Sequence, residues 1–544
     1  MNRVSWVFLV VLLLGVVFAT GIITTPNASA TNTNLDSEQA GSFPMLGLAD
    51  CAGEPPADFS PPEENVLGWH DGYWYNQPLD IDTTGGLTEP ELDAVIARAM
   101  ARWEALRCLP FDESVPVEVI DRETFQAEYV GGDRSEETRL FENARALALF
   151  MVGQDEDAIE VIEANRGVTV GGFYSIAEEK IVLVSGAEGE IHVNEPILGH
   201  ELGHALQNQH FGLEGYAGST TDAHNANLGI VEGDVVLTEA AYDYHCTDGY
   251  WAGECVMPPE DRLPPDLASV GLFLISFQPY SDGPNFVSTL YETAGWDAVN
   301  AVYERYPSSA KTVMYPELYP DFTPVHPAYD DRSSDRWALL EHSTGEAYDH
   351  LGEPVLFASL VAPSLEDPLN QGVISAMSLF NTDPDGAPDP LNPYNYSSQF
   401  TDGWLGDRFL AYAEAGVEPG DDPALAYTLT VRFDSNEAAS TFVDGWTQQL
   451  EHHGGEQHDS NHNTSTFVEI ATVGGFDGAY RLDLLDDTVR IVHAPSAEAL
   501  DEVFPIEEAA TTPTPTADGS PGFTVALVGF TLLLASVIMA IRRS

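Results

Sequence analysis

The sequence predicts an α+β fold, on three observations. Apolar residues recur at helical spacing in several long stretches up to Tyr303, one hairpin pattern interrupts them, and short strands with two helices fill Trp404 to Phe504. In chain order, the first helix spans residues 88–107. Thr88 caps it, Pro90 sits in its first turn, and Leu92, Val95, Ile96, Met100 and Trp103 form its apolar stripe. Further helix follows around Arg139–Met151 and Ala158–Ala164. Val168–Phe173 and Lys180–Val184 read as a hairpin turning through Ser175–Glu179. Phe286, Val287, Leu290, Tyr291, Trp296, Val299, Val302 and Tyr303 make 285–305 helical. Beyond Trp404, strands are expected at Arg408–Tyr412, Tyr427–Phe433, Phe467–Ala471, Ala479–Leu484 and Thr488–Val492. Helices are expected at Asn436–Leu450 and Ser496–Phe504. That order suggests a small α+β module packed beside a larger one.

One stretch carries chemistry. Ile197-Leu198-Gly199-His200-Glu201-Leu202-Gly203-His204 reads H-E-x-x-H in an apolar run, with Pro196 where a first helical turn tolerates proline. On a helix, His200 and His204 project from one face and can hold one divalent cation, and zinc suits nitrogen ligands with one position left open. Glu201 beside them can take a proton from a metal-bound water whose pKa the ion has lowered to about 7. The competing reading is an ordinary amphipathic helix, with Leu198, Leu202, Ala205 and Leu206 as its apolar stripe.

The third ligand is open on spacing alone. His210 has the H-E-x-x-H-x-x-G-x-x-H spacing, but Gln207 stands where that signature has glycine, so a continuing helix turns His210 away from the metal. Downstream, Ala226–Glu239 reads as a second helix in which apolar residues and Gly233 bracket Glu232, and a carboxylate there would complete a His₂Glu site. Asp222, Asp234 and Glu239 are rivals. Tyr174 in the hairpin, and His245, Tyr242 and Tyr303 as oxyanion stabilisers, are further candidates that packing explains better. No one residue among His245, Tyr242 and Tyr303 is singled out as the transition-state stabiliser.

His200-Glu201-Leu202-Gly203-His204-Ala205-Leu206-Gln207-Asn208-Gln209-His210-Phe211, followed by Val231-Glu232-Gly233-Asp234, resembles a group of gluzincin-like metallopeptidases, including haloarchaeal cell-surface proteins. The similarity extends to Gly171–Tyr174, Pro279–Phe286 and Trp404–Arg408. It implies a zincin-like domain with the H-E-x-x-H helix beside an edge strand. It also implies Zn²⁺ held by His200, His204 and Glu232, and Glu201 as general base. Such an edge strand would pair with an extended protein or peptide substrate. One departure stands out: Tyr315 occupies the place of a histidine common in the relatives, and no role is carried over to it. The alternative function is a surface structural or binding protein that keeps the fold without turnover.

Composition sets the surroundings. A formal charge of -66 with only Lys180 and Lys311 as lysines fits a high-salt milieu, where screening tolerates self-repulsion, and argues against nucleic-acid partners. The hydrophobic share of 44% is enough for real cores. Arg3, an apolar core from Val4 to Phe18 and Ala28-Ser29-Ala30 make residues 1–30 an export signal. An uncleaved anchor is the alternative. Four cysteines then suggest Cys246 with Cys255 as the local pair and Cys51 with Cys108 as the remainder, against a metal site or reduced thiols. Asn395 and Asn463 lie in glycosylation sequons. His452, His453, His458 and His462 read as a solvated loop rather than a second metal site.

The division expected is a signal at 1–30, a polar linker at 31–66, a zincin-like domain at 67–397 and a small α+β module at 398–505. A Thr/Pro-rich stalk at 506–520 and a membrane tail at 521–544 follow. The tail opens on Pro521-Gly522-Phe523, runs apolar to Ile541 and ends in Arg542-Arg543. It resembles the archaeal PGF-CTERM sorting signal. That implies cutting by an archaeosortase-like enzyme and a lipid anchor; without that processing the tail is a single transmembrane helix, and either way the protein is held at the outer face of the cell membrane.

Overall fold

The computed structural model describes residues 8–12 and 51–506, except 133, 186–190, 258–265, 368–371, 383–385, 418–421, 459–464 and 472–473. Most of the expected export signal, the linker up to 50, Asn463, His462, nearly all of the stalk and the membrane tail therefore lie outside the described residues. Met1–Pro505 forms one compact unit, described here, and Ile506–Ser544 a second. No helix of the described residues is long and apolar enough to cross a membrane.

Strand β1 (Phe8–Leu12) comes from the expected signal core. A short ribbon of β2 (Trp69–His70) and β3 (Tyr73–Trp74) leads into helix α1 (Glu89–Arg107). Thr88 and Glu91 close a capping box at its start. Strand β4 (Val117–Asp121) and helices α2 (Arg122–Glu128), α3 (Glu136–Ala148) and α4 (Ala158–Thr169) precede the hairpin of β5 (Val170–Ser175) and β6 (Lys180–Ser185). Val168, expected in the strand, is the exposed end of α4. These strands form one sheet in the order β1-β5-β6-β4, with only β6 and β4 parallel.

The long helices follow. They are α5 (Glu195–Phe211), α6 (Thr221–Thr247), α7 (Val270–Ala294), α8 (Trp296–Val302), α9 (Ala310–Met314) and, after strand β7 (Trp337–Leu339), α10 (Glu353–Glu366). The helix expected at 285–305 thus begins fifteen residues earlier and breaks at Gly295. Its two internal prolines, Pro279 and Pro284, did not end it, because packing against α6 holds this buried stretch in place.

The C-terminal part is a seven-stranded antiparallel sheet, ordered β10-β11-β12-β13-β9-β8-β7. Its strands are β8 (Trp404–Glu414), β9 (Leu425–Phe433), β10 (Gly455–His458), β11 (Ser465–Ile470), β12 (Gly478–Leu485) and β13 (Thr488–Ala494), with helices α11 (Asn436–His452) and α12 (Ala497–Val503). The histidine tract is not one loop. His452 ends α11, His453 stacks on Phe150 with ring centroids 4.9 Å apart, and His458 ends β10 beside Glu469.

A boundary at 397/398 does not divide the packing. One core joins α1, α5, α6 and the hairpin. The other joins the large sheet to α3, α10 and Leu274 of α7, so segments far upstream complete the C-terminal module. Disulfides join Cys51 to Cys108 and Cys246 to Cys255.

Candidate metal centre

Three devices place the H-E-x-x-H helix. Glu195, at its first turn and fully buried, accepts hydrogen bonds from Arg98 and Arg102 of α1, from Tyr242 Oη at 2.8 Å and from the Val256 backbone at 2.7 Å. A buried carboxylate tied to two guanidinium groups fixes where α5 begins. Further along, Gly203 is bare because Trp103 fills the space beside it. A Cβ there would lie 2.5 Å from the indole. The third device is the crossing of α6 and α7, where a Cβ on Gly233 would meet the Gly283 backbone at 2.4 Å. That close approach brings Tyr280 of α7 to the carboxylate of Glu232 on α6.

The three residues meet. His200 and His204 Nε2 are 3.1 Å apart, and Glu232 Oε2 lies 3.3 Å from the first and 3.2 Å from the second. Tetrahedral zinc with bonds of 2.0–2.1 Å needs ligand atoms about 3.3–3.4 Å apart, so this triangle fits the ion with a fourth position open. His200, His204 and Glu232 are the one group of this kind among the described residues, and each is about 1% exposed or less. Glu232 Oε2 has no hydrogen-bond donor, although it is buried. An orphaned buried carboxylate oxygen facing two imidazole nitrogens is the signature of a cation's place.

The surroundings hold the ligands in the right form. His200 Nδ1 lies 2.8 Å from Glu239 Oε2, and His204 Nδ1 lies 3.0 Å from Gln207 Oε1. Each acceptor keeps the proton on Nδ1 and frees Nε2 for metal. Gln207 is itself fixed, donating to the Val231 carbonyl at 2.8 Å and to Tyr303 Oη at 2.7 Å. Tyr303 donates to Asp234 at 2.8 Å, and Asp234 takes a two-pronged pair from Arg107 at 2.8 and 3.0 Å.

Electrostatics agree with a cation. Burial pulls the His200 imidazolium down, yet Glu239, Glu232 and Glu201 outweigh it and carry it up to about 10. Burial raises Glu232, yet His204 and His200 hold it at about 2. Burial, with Glu239 alongside, pushes Asp243 up to about 7. Four carboxylates around two imidazoles draw in positive charge, as protons or as metal. Glu201 is fully buried, and burial pushes its carboxyl far up. Neither of its oxygens has a well-formed hydrogen bond; the Tyr174 backbone is the nearest weak donor. Gly172 of β5 faces it, and a Cβ there would sit 3.3 Å from Glu201 Oε1. The strand therefore runs directly beside the glutamate.

The rival residues have other places. His210 stays on α5 and bonds the Pro110 carbonyl at 2.6 Å. Asp234 holds Arg107, and Glu239 orients His200 rather than joining it. Asp222, ten residues before Glu232 on α6, accepts from Ser309 and the Ala310 backbone. Among the candidates for a transition-state role, Tyr242 serves Glu195, Tyr303 serves Gln207, and His245 packs on Trp251. Tyr174 is buried in β5 and accepts from Asn208 at 3.2 Å. Tyr315 donates to Glu353 at 3.2 Å. Asn395 is half-buried, its amide 3.4 Å from the Ser378 carbonyl.

Sequence reasoning missed Tyr280 and Gln207. Tyr280 is buried beside Glu232, its ring parallel to His200 with centroids 6.5 Å apart. Its signal was the Pro279–Phe286 segment, where two prolines and a glycine flank a polar core. Gln207 was noted only as a missing glycine, although i to i+3 from His204 on a helix already put it within reach of the ring.

Comparison with known proteins adds one match. Residues 339–504 match a family model described as a domain of unknown function, DUF8575. No curated protein and no solved structure matches the chain. The matched segment covers the C-terminal module and leaves the metal centre outside it.

Proposed function

We propose that this chain is a zinc-dependent peptide hydrolase of the gluzincin kind, exported and held at the outer face of a halophilic cell's membrane. The observation that carries the reading is the triangle of His200, His204 and Glu232 ligand atoms, 3.1–3.3 Å on a side, with the unengaged carboxylate of Glu201 next to it. Zinc bound there supplies Lewis acidity, polarising a carbonyl and acidifying water. Glu201 takes the proton from the attacking water and returns it to the departing amine. Tyr280, buried beside Glu232, is our candidate for donating to the developing oxyanion.

Strand β5 supports the same reading. Phe8–Leu12 already pairs with it antiparallel, Val11 opposite Gly172 and Val10 opposite Phe173, so its outer edge accepts an extended chain beside Glu201. The two disulfides support export, since such bonds persist in oxidising surroundings. Anchoring by the 521–544 tail after sorting rests on the sequence.

The test is Glu201→Gln in the purified full chain in molar salt. Zinc content and folding should stay, and cleavage of a denatured protein substrate should disappear. Cleavage that persists sinks the mechanism. Zinc retained at unchanged affinity in Glu232→Ala sinks the ligand set. No zinc in a folded native chain leaves a surface binding protein that has kept the fold.

A further inference from the structure

We propose that the cavity leading away from Glu232 along α6 is a cleft for an extended, apolar-rich polypeptide segment of about five residues, on one side of the bond that is cut. This rests on the hydrolase reading above. The cavity has a volume of ≈ 500 Å³, and Glu232 and Tyr280 of the metal centre form its inner end. From there its floor is Leu228, Asn225, His224 and Thr221, which at helical spacing are one continuous face of α6. At 1.5 Å per residue, Glu232 to Thr221 is about 16 Å. An extended chain advances about 3.3 Å per residue, so that length holds about five residues and is far too long for one side chain.

The walls say what kind of segment. Leu149 at the end of α3, Ile275 of α7 and Val355 of α10 face the α6 floor and make the lining mostly apolar. Among the charged residues, Arg145 is bound to Glu142 and to Asp349 at 3.2 Å, which leaves Arg166 as the other cation of the lining. Burial pushes His224 down to about 4, so it is neutral. A charged side chain would lose its hydration on entering this mostly apolar lining. Ser276, exposed on α7, marks the open side, where the backbone of the segment stays in water.

The experiment measures binding rather than turnover. The zinc-loaded full chain, in molar salt and mild detergent, is titrated with two series of peptide hydroxamates. In each, the head group binds zinc, and one to seven leucine-rich residues extend from it, towards the N-terminus in one series and the C-terminus in the other. In one series affinity should rise at least 100-fold through about five residues and then level. Leu228→Trp, about 6 Å from Glu232 along the helix, should stop the rise after about two residues. His224→Trp, about 12 Å away, should stop it after about four. A glutamate inside the tail should weaken binding to the native chain at least tenfold, a result that needs no variant to fold. Affinity that levels after the first residue, or tails indifferent to glutamate, would overturn the cleft. A rising ladder without Glu201-dependent cleavage keeps the cleft and sinks the hydrolase, and cleavage with a flat ladder does the reverse. A folded chain that takes up no zinc sinks both.

Discussion

Gln207 ties His204, one of the proposed metal ligands, to a charged network, and replacing it separates two effects. Gln207→Ala removes the acceptor 3.0 Å from His204 Nδ1 and the donor to Tyr303. Tyr303 keeps Asp234, and the Val231 carbonyl keeps its place in α6, so the group left bare is the His204 N–H. Outer partners of this kind are worth about 10–100-fold in metal affinity, or about 1.4–2.7 kcal/mol. The buried unsatisfied donor adds about 1–3 kcal/mol of lost stability in the metal-free chain. Gln207→Glu behaves differently. Its carboxylate still accepts from His204, so metal affinity should hold. It also places a second acid where the Gln207 amide sits 3.4 Å from Asp234, against the Val231 carbonyl, and stability should fall by more than in the alanine variant. Competition with a chelator gives the affinities, and urea unfolding of the metal-free chain in molar salt gives the stabilities. Zinc affinity within twofold of native in Gln207→Ala would refute the network's role.

Other outcomes follow from features away from the ligands. Gly233→Ala drives a methyl into the Gly283 backbone, which cannot step aside; overpacking of about 1–3 kcal/mol outweighs a helix gain of about 1 kcal/mol, and thermal unfolding should show the loss. An unchanged unfolding temperature would mean that α6 and α7 do not touch there. Burial, aided by Asp407, raises Asp222 to about 8, and burial likewise raises Asp407 to about 7, against an ordinary value of about 3.9. Such raised acids stabilise the native state fully below pH of about 4, and the contribution is lost as pH climbs through 7 and 8. The unfolding temperature should fall between about pH 4 and 8, and Asp222→Asn should flatten that slope; an unflattened slope places the protons elsewhere. The cysteine pairs close 57 and 9 residues, worth about 4 and about 3 kcal/mol by loop entropy. Cys51→Ser should therefore cost more than Cys255→Ser in urea unfolding, and the opposite order would point to strain or packing instead.

The candidate site was readable because its parts are local. Four-residue spacing puts His200 and His204 on one face whatever surrounds them, and no glycine interrupts the helix before His210, so that residue was rightly turned away. Local cues also placed α1, through Thr88 and Pro90, and most C-terminal strands, through alternation. What spacing could not give was which acid of α6 faces the two histidines. Glu232 and Asp234 differ by two residues, about 200° around a helix, and only the partner on each side decides which acid meets the two histidines and which meets Arg107. Tyr280 was hidden for a different reason. Two prolines normally end a helix, and the close contact of Gly233 with Gly283, which keeps α7 running past them, is between segments fifty residues apart. The short strands β7 and β10 escaped because each is completed by its neighbour rather than by its own pattern.

The core of the large sheet bears on how this protein can be cut. Sequence similarity marks off residues 339–504 as a heritable block, yet the sheet's interior is filled in part by Phe141, Leu147 and Phe150 from two hundred residues upstream. The block that recurs between proteins and the block that folds are therefore not the same length of chain. Expressed alone, residues 339–504 would present the bare apolar face that α3 covers, and would aggregate or recruit a substitute helix. Wherever this block recurs without an equivalent of α3 ahead of it, some other segment or a partner has to supply that face.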